Sequence, residues 1–257
     1  MSSILWNTHY RLAFSVSALM LLLQLGISPV GHASEQNAVA VVDALRGTVR
    51  VIRANADKFE PIAVNSPIFR QDIIKTEPKS KVRLKFRDDS LVSLGADSTM
   101  KVSKFIFSTE QKKRSSFFTI PEGIFRIVVK KFMPNSRVEV QTATAVSAVR
   151  GTDWLGLASP WATAIFVARG VVSVKSGNRD IGGEVILEKG EGTWAKLDKS
   201  LTSKEMWDQA MVDIFVNRTS LDPANNSRSS DEKRLPQPPG TGEPSSNMTS
   251  GGMNDGM

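Results

Sequence analysis

The residue pair best equipped for chemistry in this 257-residue chain is Gly151-Thr152. A threonine hydroxyl beside a glycyl carbonyl can attack it when the backbone is strained, turning the peptide bond into an ester by an N-to-O acyl shift. Hydrolysis of that ester cuts the chain without help from histidine or cysteine. Glycine tolerates the φ/ψ values that such strain requires. The plainer reading of the pair is a glycine at a strand corner, with Thr152 resuming the strand.

Little else is available to a catalyst. The chain has no cysteine, and its two histidines (His9 and His32) and one tyrosine (Tyr10) all precede residue 34. Residues 1–33 read as a signal peptide. Arg11 is the positive n-region, Leu12 to Leu23 is uncharged and apolar, and Gly31-His32-Ala33 offers small residues for cleavage after Ala33. An uncleaved anchor is the alternative, although the run is shorter than the ~20 residues of a membrane-spanning helix. With one arginine and no cysteine, the segment is neither a twin-arginine nor a lipidation signal. Cleavage would leave no His, Cys or Tyr, which excludes Ser-His-Asp and Cys-His nucleophiles and thiolate or imidazole zinc sites. The expectation is a periplasmic or secreted non-enzyme with no cofactor and no metal. It would keep no transmembrane helix after cleavage.

Binding candidates are better represented. In Lys81-Val82-Arg83-Leu84-Lys85-Phe86-Arg87 the apolar side chains point one way. Lys81, Arg83, Lys85 and Arg87 point the other, since side chains alternate across a strand. Such a row could grip an anionic surface or simply be a solvated face. Between Arg70 and Val140 there are sixteen Lys and Arg against eight Asp and Glu. In an envelope compartment that excess fits an acidic protein face or an anionic glycan or lipid surface, not nucleic acid, or it serves solubility alone. Trp154, Trp161 and Trp194 offer either a sugar-stacking platform or core packing. Asp88-Asp89 could serve acid/base work or calcium, or form a hairpin turn, as Asp readily bonds its own backbone. Lys112-Lys113-Arg114 reads as an exposed loop tip.

The elements that must position these residues are mostly strands. Val39 to Arg53 alternates around Gly47, and Lys81–Arg87 returns through Asp88-Asp89-Ser90 to Leu91–Leu94. Further strands are expected at 100–107, 116–120, 123–131, 137–141, 142–149, 162–167, 171–175 and 184–187. Glycine repeatedly precedes alternating apolar residues, at Gly47, Gly123 and Gly170. Many short strands punctuated by Gly and Asp turns indicate an all-β domain at 39–199. Thr202-Ser203-Lys204-Glu205 is a capping-box pattern, so an amphipathic helix over 202–217 is expected, packed on that domain. Residues 222–257, rich in Ser, Pro, Gly and Asn, are expected to be disordered.

The chain from about Ala44 to Ala195 resembles the FecR-domain family. Arg46-Gly47-Thr48-Val49, Ile73-Ile74-Lys75-Thr76, Val82 to Asp88 and Glu122-Gly123-Ile124-Phe125 carry the resemblance. It continues through Val140-Gln141-Thr142, Ala148-Val149-Arg150-Gly151-Thr152-Asp153-Trp154, Gly170 to Val174 and Lys189-Gly190-Glu191. The family's usual Asp-Gly hairpin is Asp88-Asp89 here. The resemblance implies a coiled, β-helix-like or sandwich-like all-β fold in the envelope. Family regulators carry a cytoplasmic anti-sigma segment before a membrane helix and a signalling lobe after the β-domain. An export signal and one helix stand in those places here, so the resemblance implies a stand-alone binding or scaffold module with no sigma factor held in cis. It also implies that Gly151-Thr152 corresponds to the bond at which some family regulators cut themselves.

Overall fold

The computed structural model describes residues 38–129, 134–149, 151–221 and 236–239. The expected signal peptide, and the expected disordered tail apart from 236–239, lie outside the described residues. Seventeen strands and one helix make up the described chain, and the strands form two sheets. The first sheet runs β1 (Ala40–Arg46), β6 (Lys81–Phe86), β7 (Leu91–Leu94), β9 (Lys113–Val128), β12 (Asp153–Ala158), β13 (Ala162–Arg169), β16 (Glu191–Lys196), β17 (Glu205–Met206), with the short β4 (Pro67–Ile68) also on β1. The second runs β3 (Glu60–Pro61), β2 (Val49–Ile52), β5 (Ile73–Thr76), β8 (Thr99–Ser108), β9, β10 (Asn135–Gln141), β11 (Ala145–Val149), β14 (Val172–Ser176), β15 (Glu184–Leu187).

Strand β9 belongs to both sheets. Residues 113–119 pair with β10, and 123–128 pair with β7 and β12. The β9–β10 ladder is parallel, whereas every other strand pairing among the described residues is antiparallel. The chain therefore winds as a ribbon that leaves one sheet, turns a corner and enters the other. Glycine makes several of these corners. Gly47, Gly123 and Gly170 have φ of 78°, 110° and 93°, and a Cβ there would lie 2.2–2.7 Å from Ser80, Ser98 or Thr152 side-chain atoms. Only glycine satisfies both demands.

Burial follows the strand alternation. Val82, Leu84 and Phe86 are at most 1% exposed and belong to one core with Val49, Val51, Ile74, Ile127, Trp154 and Val174, drawn from both sheets. The all-β expectation holds. Several segments differ in detail from the sequence expectation, which has no strand at β12 or β16. Lys113–Val128 is one strand across the Pro121–Gly123 corner instead of two. Thr142–Ala145 is a turn, closed by Thr142 N–H donating to the Ala145 carbonyl at 2.9 Å, so the strand expected from Thr142 begins at Ala145. The Thr142 and Thr144 hydroxyls both meet that of Thr163, at 2.7 and 2.8 Å, which holds the turn against β13.

The helix, α1 (Gln209–Thr219), starts seven residues later than the capping-box pattern predicts. Residues 201–207 are engaged by β16 instead. Thr202 accepts from Trp194 N–H at 2.9 Å, and Glu205–Met206 extend the sheet beside Glu191–Gly192. Asp208 is the actual N-cap, accepting from Met211 N–H at 2.7 Å. The helix packs on β6, β9 and β12 as expected, and builds a second, smaller core of Ile124, Leu155, Phe166, Trp194, Trp207 and Phe215. Trp207 stacks on Phe166 at 5.5 Å and meets Trp194 and Phe215 at 6.2 and 5.5 Å. No helix of the described residues is long and apolar enough to cross a membrane.

Candidate functional site

The expected cation row separates into three different environments. Lys81 is 5% exposed, and its Nζ donates to the Asn217 carbonyl at 2.6 Å in the last turn of α1. It satisfies a helix-end carbonyl and complements the negative end of the helix dipole. Arg83 pairs with Asp43 of β1 at 2.5 Å. Lys85 and Arg87 are exposed. The side chains do alternate as read, but the helix covers one end of the row, so four aligned solvent-facing cations do not exist.

The tryptophans also part company. Trp154 is fully buried, edge-on to Phe125 at 5.3 Å, and Trp194 is 2% exposed, so no three-ring sugar platform forms. Core packing is the outcome for both. Trp161 is 71% exposed. It sits at the tip of the β12–β13 hairpin, Ser159-Pro160-Trp161-Ala162, where Pro160 supplies the φ that a tight turn needs. Ser159 N–H donates to the Ala162 carbonyl at 2.9 Å, its hydroxyl accepts from Ala162 N–H at 3.1 Å, and Leu197 N–H donates to the Trp161 carbonyl at 2.8 Å. The exposed indole thus stands on a backbone tied down from both sides.

Below it lies a cavity of about 590 Å³. Its apolar wall comprises Ile124, Leu157, Pro160, Trp161 and Trp194, and Arg46, Lys79, Lys81 and Arg218 bring positive charge to it opposite Asp97 and Glu122. The fold assembles this groove from the β5–β6 and β7–β8 corners, the Gly123 bend of β9, the β12–β13 hairpin and the end of α1. Gly123 forms part of the wall where Ile124 N–H donates to the Ser98 hydroxyl at 3.0 Å. Of the sequence-derived candidates, Lys81, Trp161 and Trp194 line the groove, whereas Arg83, Lys85, Arg87 and Trp154 do not. Arg46, Glu122 and Arg218 were passed over by sequence reasoning. Their convergence depends on pairings far apart in the chain.

Two other sites resolve as follows. Gly151 has φ 61°, and Thr152 is fully buried, its Oγ1 without a hydrogen-bond partner among the described residues. Asp88 is a turn residue that accepts from Ser90 N–H at 3.1 Å. It also pairs with Arg114 at 2.5 Å, both side chains being at most 1% exposed. The expected loop tip therefore ends at Lys112, and Lys113 opens β9. Arg114 enters the core because β9 has already begun and alternation turns it inward. Asp89 has φ 61°, which explains why glycine suits that position in the resembling family.

The ordinary titration of a few carboxylates is shifted by their surroundings. Burial pushes the Asp72 carboxyl above its usual 3.8, against hydrogen bonds from Phe69 N–H and Arg53. Glu191, which helps fix the chain entering α1, is held below its usual 4.5 first by Glu188 N–H and then by Lys204. Among the described residues no cluster of three or more His, Cys, Asp or Glu is placed to hold a metal ion.

An all-β ribbon with glycine corners and an Asp-turn hairpin defines the class of domain. Residues 72–173 match the family model described as FecR protein, so that stretch of the chain is similar to a FecR domain. The match runs from just before β5 into β14. Two crystal structures of a candidate anti-sigma factor from Parabacteroides distasonis ATCC 8503, at 1.65 and 2.50 Å resolution, are similar. Each is 18% identical with a TM-score of 0.46, and the likeness covers 56% of this chain and 64% of that one. The chain thus spans less than two thirds of that structure's length. No curated protein matches it.

Proposed function

We propose that this chain is a non-enzymatic binding and regulatory module of the cell envelope, exported by its N-terminal segment, and that it recognises an envelope protein through the Trp161 groove. The observation that carries this reading is a 71%-exposed tryptophan held on a braced hairpin above an apolar, cation-bearing cavity. Large rings ordinarily drive burial, and a rigid aromatic anchor beside a pocket is the usual centre of a binding hot spot. Lys85 and Arg87 lie outside the groove and could add attraction for an anionic glycan or lipid surface without specifying the partner. Trp161→Ala removes mostly exposed area, so the fold survives it. Capture of the partner from envelope extracts is then lost with Trp161→Ala and kept with Lys85→Glu/Arg87→Glu. Equal capture by wild type and Trp161→Ala sinks the reading.

A second reading, self-processing at Gly151-Thr152, is favoured by the unpartnered Thr152 hydroxyl beside a glycine in the left-handed region. In that step Oγ1 attacks the Gly151 carbonyl carbon, the peptide C–N bond breaks, and the hydroxyl proton passes to the released Thr152 amine. Water then hydrolyses the ester, leaving a Gly151 carboxylate and the free hydroxyl. The expected products are two fragments whose masses meet at this bond, absent in Thr152→Ala. A single intact mass that persists in hydroxylamine removes the idea.

A further inference from the structure

We infer that the Trp161 groove is a receptor for an extended proline-rich segment, and that its resident occupant is the chain's own Pro236-Gln237-Pro238-Pro239. The inference rests on the groove being the recognition surface proposed above, and it names the chemistry of what binds there.

Pro236, Gln237 and Pro238 line the same cavity as Pro160, Trp161 and Leu157. Within the segment, Pro236 and Pro238 are half-buried, while Gln237, which also lines the cavity, and Pro239 are exposed. Lys196 Nζ donates to the Pro239 carbonyl, anchoring the end of the segment on the strand that follows the groove wall. Three separate observations therefore place one short segment on one surface.

The chemistry of the two sides fits. Proline fixes φ, and a residue before proline is held to extended backbone, so Pro236-Gln237-Pro238-Pro239 has little conformational freedom left to lose on docking. Proline rings pack on aromatic faces, and aromatic-lined grooves are the common receptors of such segments. Prolines contribute carbonyl acceptors but no N–H, so such a segment asks its receptor for donors. A groove bearing Arg46, Lys79, Lys81 and Arg218 supplies donors, and Lys196 adds one at the Pro239 end of the segment.

A segment tethered to its own receptor competes at an effective concentration on the order of millimolar. The cis segment therefore holds the groove against outside ligands until a partner with a better proline-rich segment displaces it. Partner recognition and release of the tail become one exchange.

The chain's lack of cysteine makes the test clean. A nitroxide is attached to the full chain through Gln237→Cys, whose side chain is exposed, and the Trp161 indole N–H resonance is assigned by its loss in Trp161→Ala. The inference predicts that the label extinguishes the Trp161 signal and that Pro236→Ser/Pro238→Ser/Pro239→Ser restores it. A synthetic Leu-Pro-Gln-Pro-Pro-Gly peptide should shift the Trp161 resonance of the unlabelled triple variant. At least about tenfold more peptide should be needed with the wild-type chain, because the tether competes. A full-strength Trp161 signal in the labelled wild type overturns the inference. So does loss of signal that the serine substitutions leave unchanged, or peptide binding that is absent or equal in the two chains. None of these readouts involves an envelope partner. Failure of capture by the groove is therefore a separate result, and it leaves the tail contact measured on its own terms.

Discussion

At the scale of single residues, the buried Asp88–Arg114 pair is the position where one change does most. Both side chains are removed from water, and Arg114 also donates to the Asp88 backbone carbonyl at 3.2 Å. Removing one partner strands the other charge in the core, a loss of about 3–5 kcal/mol. Asp88→Ala should therefore lower the denaturant midpoint by that equivalent with an unchanged slope, and a loss below about 1 kcal/mol would contradict the pairing. Half of this pair was legible in the sequence. Asp88-Asp89-Ser90 announced a turn, because aspartate bonds its own backbone there. Arg114 was not legible, for it follows Lys112-Lys113 in a run that looks solvated, and its partner is 26 residues away. Trp154 and Trp161 show the same limit. Composition marks both as large rings, and only the hairpin and the core decide which one meets solvent.

At the scale of elements, strand alternation was readable and its outer face was not. The pattern of Lys81–Arg87 gives the correct inward set, yet α1 lands on the outer face and converts Lys81 from a surface cation to a helix cap. Charged hydrogen bonds of this kind contribute about 1.5–3 kcal/mol. Lys81→Met keeps the stem and removes the ammonium. It should loosen the helix end by that amount, seen as early melting of the near-UV signal from Trp194 and Trp207 ahead of the far-UV strand signal. Coincident, unshifted melting would show that the cap is idle. The helix itself was legible as an element but not in its start. A capping box at Thr202 is a local signal, and the tertiary demand of β16 for an edge partner overrode it. The alternation of glycine corners at Gly47, Gly123 and Gly170 was the strongest element-level clue, and each proves to be a bend facing a serine or threonine.

At the scale of the whole molecule, the sequence declared an all-β FecR-like domain, and the ribbon that joins its two sheets turns at glycine corners that the sequence marks at Gly47, Gly123 and Gly170. What could not be read was which corners stack on which. The groove needs Arg46, Glu122, Trp161, Arg218 and the Pro236–Pro238 segment to converge, and no local pattern encodes contacts over nearly two hundred residues. The parallel β9–β10 ladder was equally hidden, since alternation does not state strand direction. The central claim is that this convergence is a recognition surface. Its most direct test is a quantitative comparison of envelope proteins retained by the wild-type chain, by Trp161→Ala and by Lys85→Glu/Arg87→Glu. A tryptophan at the centre of a binding site is worth 2 kcal/mol or more, about thirtyfold in affinity. The account predicts a partner whose retention falls by roughly that factor in Trp161→Ala and is kept in the charge-reversed chain. A partner retained equally by the wild type and Trp161→Ala would contradict it.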